Sequence, residues 1–136
     1  MANALFDFYR EQCLKADVDL DDSIKLVFVD HTDDNPNVAT DDFLDDIVGA
    51  GRVGTSGAFA SKTFTAGVFD AADVTVTAVT GDQFESIVIY NDTPGTEATK
   101  DLVAKIDTAT GLPCTPNGGD ITVGREIGRA SCRERV

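Results

Sequence analysis

The chain has no tryptophan, one histidine, one methionine and two tyrosines. With a single imidazole, His31, neither a histidine-based zinc site nor a paired histidine relay can be assembled. Without tryptophan, and with only Tyr9 and Tyr90, flat surfaces for stacking sugar rings are scarce. Cations are scarce too: 11 Lys and Arg stand against 24 Asp and Glu, for a net charge of −13. A surface this acidic repels phosphate backbones and anionic bilayers, so neither nucleic acid nor membrane is an expected partner. Lys15, Lys25, Arg52 and Lys62 are scattered and make no basic patch with interleaved aromatics. No apolar run approaches the ~18–20 residues of a membrane span. The N-terminus, MANALFDFYREQ, lacks the basic start and long apolar stretch of a signal peptide. Cys13 and Cys114 lie far apart and read as two reduced thiols, a disulfide between the N-terminal segment and a late loop being the alternative.

What is present is enough for one folded domain. Residues 3–15 read as a helix, with Leu5, Phe8, Tyr9, Gln12 and Cys13 recurring at three- and four-residue spacing. Asn3 is its expected N-cap, and Cys13 is expected to pack on its apolar side. Ile24 to Val29, IKLVFV, is a β-branched apolar run that predicts a buried strand. Asn35-Pro36 marks a turn. TDDFLDDIV predicts one or two helical turns capped by Thr40, with Phe43, Leu44 and Ile47 on one side and Gly49 ending them. From Arg52 to Phe69 the composition turns to Thr, Val, Phe, Ala and Gly. DVTVTAVTG alternates apolar and polar residues as a half-buried strand does, and FESIVIY follows a Gly81-Asp82 turn, which predicts a hairpin. DLVAKID reads as either a strand or a short helix, and strand is the choice because the neighbouring strands need a partner; the ITV of residues 121–123 begins a further strand. The expected fold is mainly β: a single β-sandwich or jelly-roll-like domain of about six to eight strands with an N-terminal α-helix.

Several sequence patterns suggest chemistry, and none has its full context. Gly49-Ala50-Gly51-Arg52-Val53-Gly54 fits G-x-G-x-x-G, but a dinucleotide site needs a strand before it and a helix after it. Here a helical turn precedes and a β-type composition follows. Asp41-Asp42-Phe43-Leu44-Asp45 fits DDxxD, yet the chain is too short and too β-rich for the helical bundles that use it on diphosphates; a solvated acidic turn is the plainer reading. Asp17, Asp19 and Asp21 alternate like a calcium loop, but Asp22 and Phe28 stand where an EF-hand needs Gly and a carboxylate. Asp30, Asp33 and Asp34 leave a looser calcium site open. His31 reads as a surface-loop residue, and Ser56, in GTSG, is one residue short of a nucleophile elbow. Asn91-Asp92-Thr93 matches a glycosylation sequon without supporting context. No catalytic residue, cofactor or metal ligand set is therefore expected. Leu5, Phe8 and Tyr9 are the candidate partner-docking residues, with ordinary packing against the sheet as the other reading.

Two resemblances add to this. Residues 126–136, EIGRASCRERV, resemble codon for codon the translation of a short-read library adapter. They carry three Arg, two Glu and no Asp, unlike the preceding chain. Setting them aside leaves a domain of residues 1–125, takes Lys plus Arg from 11 to 8 and Asp plus Glu from 24 to 22, and makes the net charge −14. Cys132 then falls outside the domain, a sheet edge is left incomplete after Val123, and the tail is expected to be poorly ordered or to pack without sharing the core. Within the domain, MANALFDFYREQCLKADVDLDDSIKLVFVD, VATDDFLDDI, GDQFESIVIYNDT and above all IDTATGLPCTPNGGDITV resemble a family of small virion structural proteins of tailed bacteriophages. The resemblance covers nearly all of residues 1–124. It implies a non-enzymatic virion protein, a capsid decoration or cement protein whose partner is the major capsid protein or another virion protein, with a homo-oligomer on the particle as an option. A tail, collar or fibre component, or a glycan-binding module on the virion surface, is the alternative. The family supplies no catalytic residues.

Overall fold

A computed structural model describes residues 3–15, 20, 22–66, 68–93, 95–124 and 132–135. The centre is a five-stranded antiparallel sheet built from β1 (Ala4–Leu5), β2 (Ile24–Val29), β3 (Arg52–Thr55), β7 (Ser86–Asn91) and β8 (Leu102–Ile106). Its order is β1-β8-β7-β2-β3. β7 and β8 are buried along their whole length, and β2 everywhere but Lys25. That is why IKLVFV, SIVIYN and LVAKI read as nearly continuous apolar runs and not as alternating ones: both faces of these strands are covered.

Pairing fixes the faces. Leu26 lies opposite Ile89 and Phe28 opposite Ile87. Ile87 in turn lies opposite Ile106. This face looks towards a second, three-stranded sheet of β6 (Val74–Val76), β9 (Asp120–Val123) and β10 (Cys132–Arg135), in the order β10-β9-β6. Leu26, Ile87, Ile89 and Ile106 line one apolar cavity together with Val74 and Val123. The Phe28 and Phe84 rings stack in the same layer, 4.2 Å between centroids and 6° from parallel. Gly54 lies opposite Phe28 on β3. A Cβ there would meet Phe28 Cδ2 at 3.3 Å and Val76 Cγ1 at 3.5 Å, so glycine is what lets β3 close over the ring.

The opposite face of the large sheet carries Lys105 and Val103. The Phe6 N–H donates to the Val103 carbonyl, and the Asp7 N–H to the Val38 carbonyl, which lays the start of α1 (Asp7–Leu14) over this side. Tyr9, Leu44 and Ile47 are buried. β4 (Thr63–Thr65) and β5 (Val68–Asp70) form a separate two-stranded hairpin.

Several sequence expectations are corrected. The helix begins at Asp7, not at residue 3, because Ala4 and Leu5 pair with Lys105 and Ala104 on the free edge of β8. Asn3 does not cap it; its side chain accepts from the Asp107 and Thr108 N–H groups and donates to the Thr108 carbonyl, fastening the N-terminus to the exit of β8. Cys13 is exposed and Cys114 buried, with no disulfide joining them. TDDFLDDIV gives only one 3-10 turn, Leu44–Asp46, flanked by an extended Phe43. Asp46 rather than Thr40 supplies the cap, accepting from the Asp42 and Phe43 N–H groups. The predicted hairpin around Gly81-Asp82 does not form. β6 pairs with β9, and β7 with β2 and β8, so the turn carries the chain from one sheet to the other. The switch is held by Val79, which exchanges backbone hydrogen bonds with Gly118 and Gly119, and by a matching exchange between Phe84 and Cys114.

Residues 125–131 and 136 lie outside the described residues, as do Asp17, Asp19 and Asp21. Within the tail, Cys132–Arg135 pair antiparallel with Asp120–Val123, so this part joins a sheet edge. An edge ladder uses main-chain groups alone, and any extended segment without proline can supply them.

Candidate functional site

The acidic loops were the open question from sequence. At the exit of β2 the chain folds back tightly: the Asp33 and Asp34 N–H groups both donate to the Asp30 carbonyl, and the Asp30 N–H donates to Gly51 O. This buries Asp30, whose Oδ1 accepts from the Thr32 N–H at 2.7 Å. Asp82, on the turn between the sheets, comes up beside it. Asp30, Asp33 and Asp82 place one carboxylate oxygen each within 4.8 Å of one another, with Asp33 and Asp82 exposed. Thr32, Gln83 and Glu85 complete the cleft. Asp34, expected to join them, turns away and accepts from the Val48 N–H at 2.7 Å.

Oxygen-rich clusters of this kind suit hard divalent cations, which take six or more oxygens in the case of calcium. Three carboxylates, two of them in solvent, are also what an ordinary acidic rim looks like. Melting in millimolar calcium against chelator separates the two. A midpoint that calcium raises, and that Asp82→Asn no longer lets it raise, marks a cation site; an unmoved midpoint marks a solvated rim.

At the opposite end of the same strands, just past β7 and beside the start of β2, Asp92 sits between Lys25 and Lys100 at 2.8 and 2.7 Å. The three side chains are 19%, 28% and 18% exposed. Burial pushes the Asp92 carboxyl up, but the hydrogen bonds from Lys100 and Lys25 outweigh it and hold the group below its ordinary value. A carboxylate with a depressed folded pKa contributes stability that is complete above its unfolded pKa and lost as pH falls through the folded one. Asp92→Asn is therefore expected to cost about 1–2 kcal/mol at pH 7. The deficit should shrink as the pH falls below about 4. Urea midpoints of both proteins across that range check it.

The remaining sequence motifs separate into structural parts. Gly51 is buried with Asp34 Cβ only 3.0 Å from where a Cβ would stand, while Gly49 has open space around it. A 3-10 turn precedes Arg52 and a strand follows, so G-x-G-x-x-G here serves close packing. In DDxxD, Asp41 accepts from the Asn37 N–H and Asp45 is exposed, so the three carboxylates do not act as one group. Ser56 is buried; its Oγ accepts from the Leu26 N–H and donates to Gly57 O. Asn91 is buried and donates to Asp22, closing the sequon to modification.

His31 is not the plain surface residue expected. It is half-buried with Nε2 enclosed and without a hydrogen-bond partner. Burial, then the charge of Lys105, lower its pKa against the opposing pull of Glu85, Asp107 and Asp30.

The docking residues also divide. Tyr9 is 7% exposed and belongs to the core, and burial, with the Cys13 thiol beside it, raises its pKa. Phe8 packs edge-on against Phe43 at 5.0 Å. Leu5 alone of the three stays at the surface, at 45% exposure. A different aromatic is offered to solvent: Phe64, 51% exposed, stacks at 5.3 Å across the β4–β5 hairpin on Phe69, which itself packs against the core. The sequence signal for it was weak, since TFT reads equally well as a strand with one face inward. Among the described residues no helix is long and apolar enough to cross a membrane. Compared with known proteins, the chain matches no family model and no curated protein. Among the described residues the fold is mainly β, antiparallel sheets with one α-helix.

Proposed function

We propose that the chain is a non-enzymatic structural protein of a tailed-phage virion, a decoration or cement protein bound to the major capsid lattice. Its domain is residues 1–125, folded as a sandwich; the cavity shared by Leu26, Ile89, Val74 and Val123 supports that finer reading of the two sheets. The resemblance of residues 106–123 to small virion proteins supports the role. The observation that carries it is the aromatic hairpin. Phe69 packs against the core and holds Phe64 on the two-stranded hairpin, where Phe64 itself stays exposed. An apolar anchor that folding leaves out is suited to a partner's pocket, and many copies on a repeating shell add weak contacts into firm attachment. The acidic surface keeps free copies soluble and apart from one another before assembly.

Phe64→Ser is expected to lower the melting temperature by only a few degrees, for the lost stacking on Phe69, and to weaken particle binding by about 2 kcal/mol per site, roughly thirtyfold. Co-sedimentation with particles stripped of the protein reads this; undiminished binding removes the hairpin from the interface. A particle reconstruction decides the wider reading. Copies in the hundreds on the shell fit a head protein, three, six or twelve copies fit the tail or collar alternative, and absence from the virion ends the proposal.

A further inference from the structure

Lys105 is the anomaly of the core. It is the penultimate residue of β8, opposite Val88 on β7 and Ala4 on β1, and is 3% exposed. Its Nζ donates to the Asn35 side-chain oxygen at 2.7 Å and to the Pro36 carbonyl at 2.9 Å. Asn35 sits at the surface with its amide reaching the buried amine. With a C=O bond of about 1.2 Å, that contact leaves the amide carbon no more than ~4 Å from Nζ, close to the separation of a near-attack pair.

The surroundings suit bond formation. Burial lowers the Lys105 pKa against the opposing charges of Asp107, Asp41 and Asp34, which favours the neutral, nucleophilic amine. Asp107, one residue beyond the end of β8, lines the same cleft as Lys105, Asn35, Pro36 and Val38. One Asp107 oxygen, Oδ2, is buried there without a hydrogen-bond partner. Nε2 of His31 is the other enclosed ring or carboxylate atom of this neighbourhood without one. Buried polar atoms are almost always paired, so two orphans around one amine call for an explanation.

We infer that Lys105 and Asn35 form an intramolecular amide cross-link. The Nζ lone pair attacks Asn35 Cγ, and a new C–N bond forms as the bond to Nδ2 breaks. The Asp107 carboxylate takes the proton that Nζ gives up and returns it to the departing nitrogen, which leaves as ammonia. An amine and a primary amide thus give a secondary amide plus ammonia, with no oxidant, reductant or cofactor. Pro36 protects the reaction. Asparagine commonly loses ammonia to attack by the next backbone nitrogen, and proline has no N–H with which to complete it.

The cross-link removes one ammonia, so the denatured full-length protein is expected to weigh about 17 Da less than its sequence. Protease mapping should give one branched peptide containing both Asn35 and Lys105. Asn35→Ala and Asp107→Ala should each retain the native circular dichroism and show no ammonia loss. Because the link closes a loop of 70 residues, Asn35→Ala should also melt lower, by roughly 10 °C or more. The full sequence mass in folded protein overturns the inference. So does an ammonia loss that maps to an unbranched peptide, for example at Asn117-Gly118.

Discussion

Phe28→Ala is expected to remove about 3–5 kcal/mol of folding stability, the range for deleting a buried aromatic ring whose surroundings cannot collapse into the space. The space cannot collapse because both sides are pinned. Phe28 is held in β2 between β7 and β3, and Phe84, its stacking partner, exchanges two backbone hydrogen bonds with Cys114. Gly54 cannot fill the gap, having no side chain to move. A domain of this size holds only about 5–15 kcal/mol in all, so the variant stands near the edge of folding. Urea denaturation should show a lower midpoint with an unchanged slope. The converse change, Gly54→Val, should cost about 1–3 kcal/mol by overpacking the same ring. The double variant should be less destabilised than the sum, since the cavity left by one receives the side chain of the other.

Arg52→Ala is expected to cost about 2–4 kcal/mol, through hydrogen bonds and not through charge. The Arg52 side chain is 19% exposed. Its Nε donates to Ile47 O at 2.9 Å, and Nη2 to Leu44 O and Ile47 O at 2.7 and 2.6 Å. These carbonyls belong to buried residues in a segment with only one turn of 3-10 helix to satisfy them. Without the guanidinium Ile47 O loses both of its donors, and Leu44 O keeps only the Ile47 N–H. Lysine has a single nitrogen and cannot reproduce the fork, so Arg52→Lys should recover only a minor part. Glu97 is the control. Arg52 Nη1 reaches it at 2.8 Å and its hydrogen bond holds the carboxyl below the ordinary value, yet Glu97 stands in solvent. Glu97→Gln should leave the melting temperature almost unmoved.

The parts of the fold that sequence disclosed are those written in local pattern. β2, β7 and β9 fall where apolar runs or alternation put them, because burial acts on each side chain where it stands. Partnership is not local, and there the reading failed. DVTVTAVTG and FESIVIY look like a hairpin, but which edge a strand joins is decided by residues forty or more positions away, as for Val76 and Ile121. Asn3 has the chemistry of a helix cap, and the edge of β8 outbid the helix for it. The candidate sites follow the same rule. Asp30 and Asp33 are near neighbours and were visible; Asp82 joins them only because the sheet-to-sheet turn passes there. Lys105 carried a signal that went unread, a lone cation inside LVAKI. An amine within a strand buried on both faces must either find partners or change its chemistry.

The order β1-β8-β7-β2-β3 also sets a schedule for synthesis. Ala4–Leu5, synthesised well before β8, completes its ladder only against Ala104 and Lys105. Until β8 has left the ribosome, the edge of β7 lies open and the N-terminus has nothing to hold. Folding of the large sheet is thus a late event with long loops to close, slow by the measure of its contact order. A nascent chain stopped before residue 102 should be digested readily by protease, and one extended past residue 123 should resist.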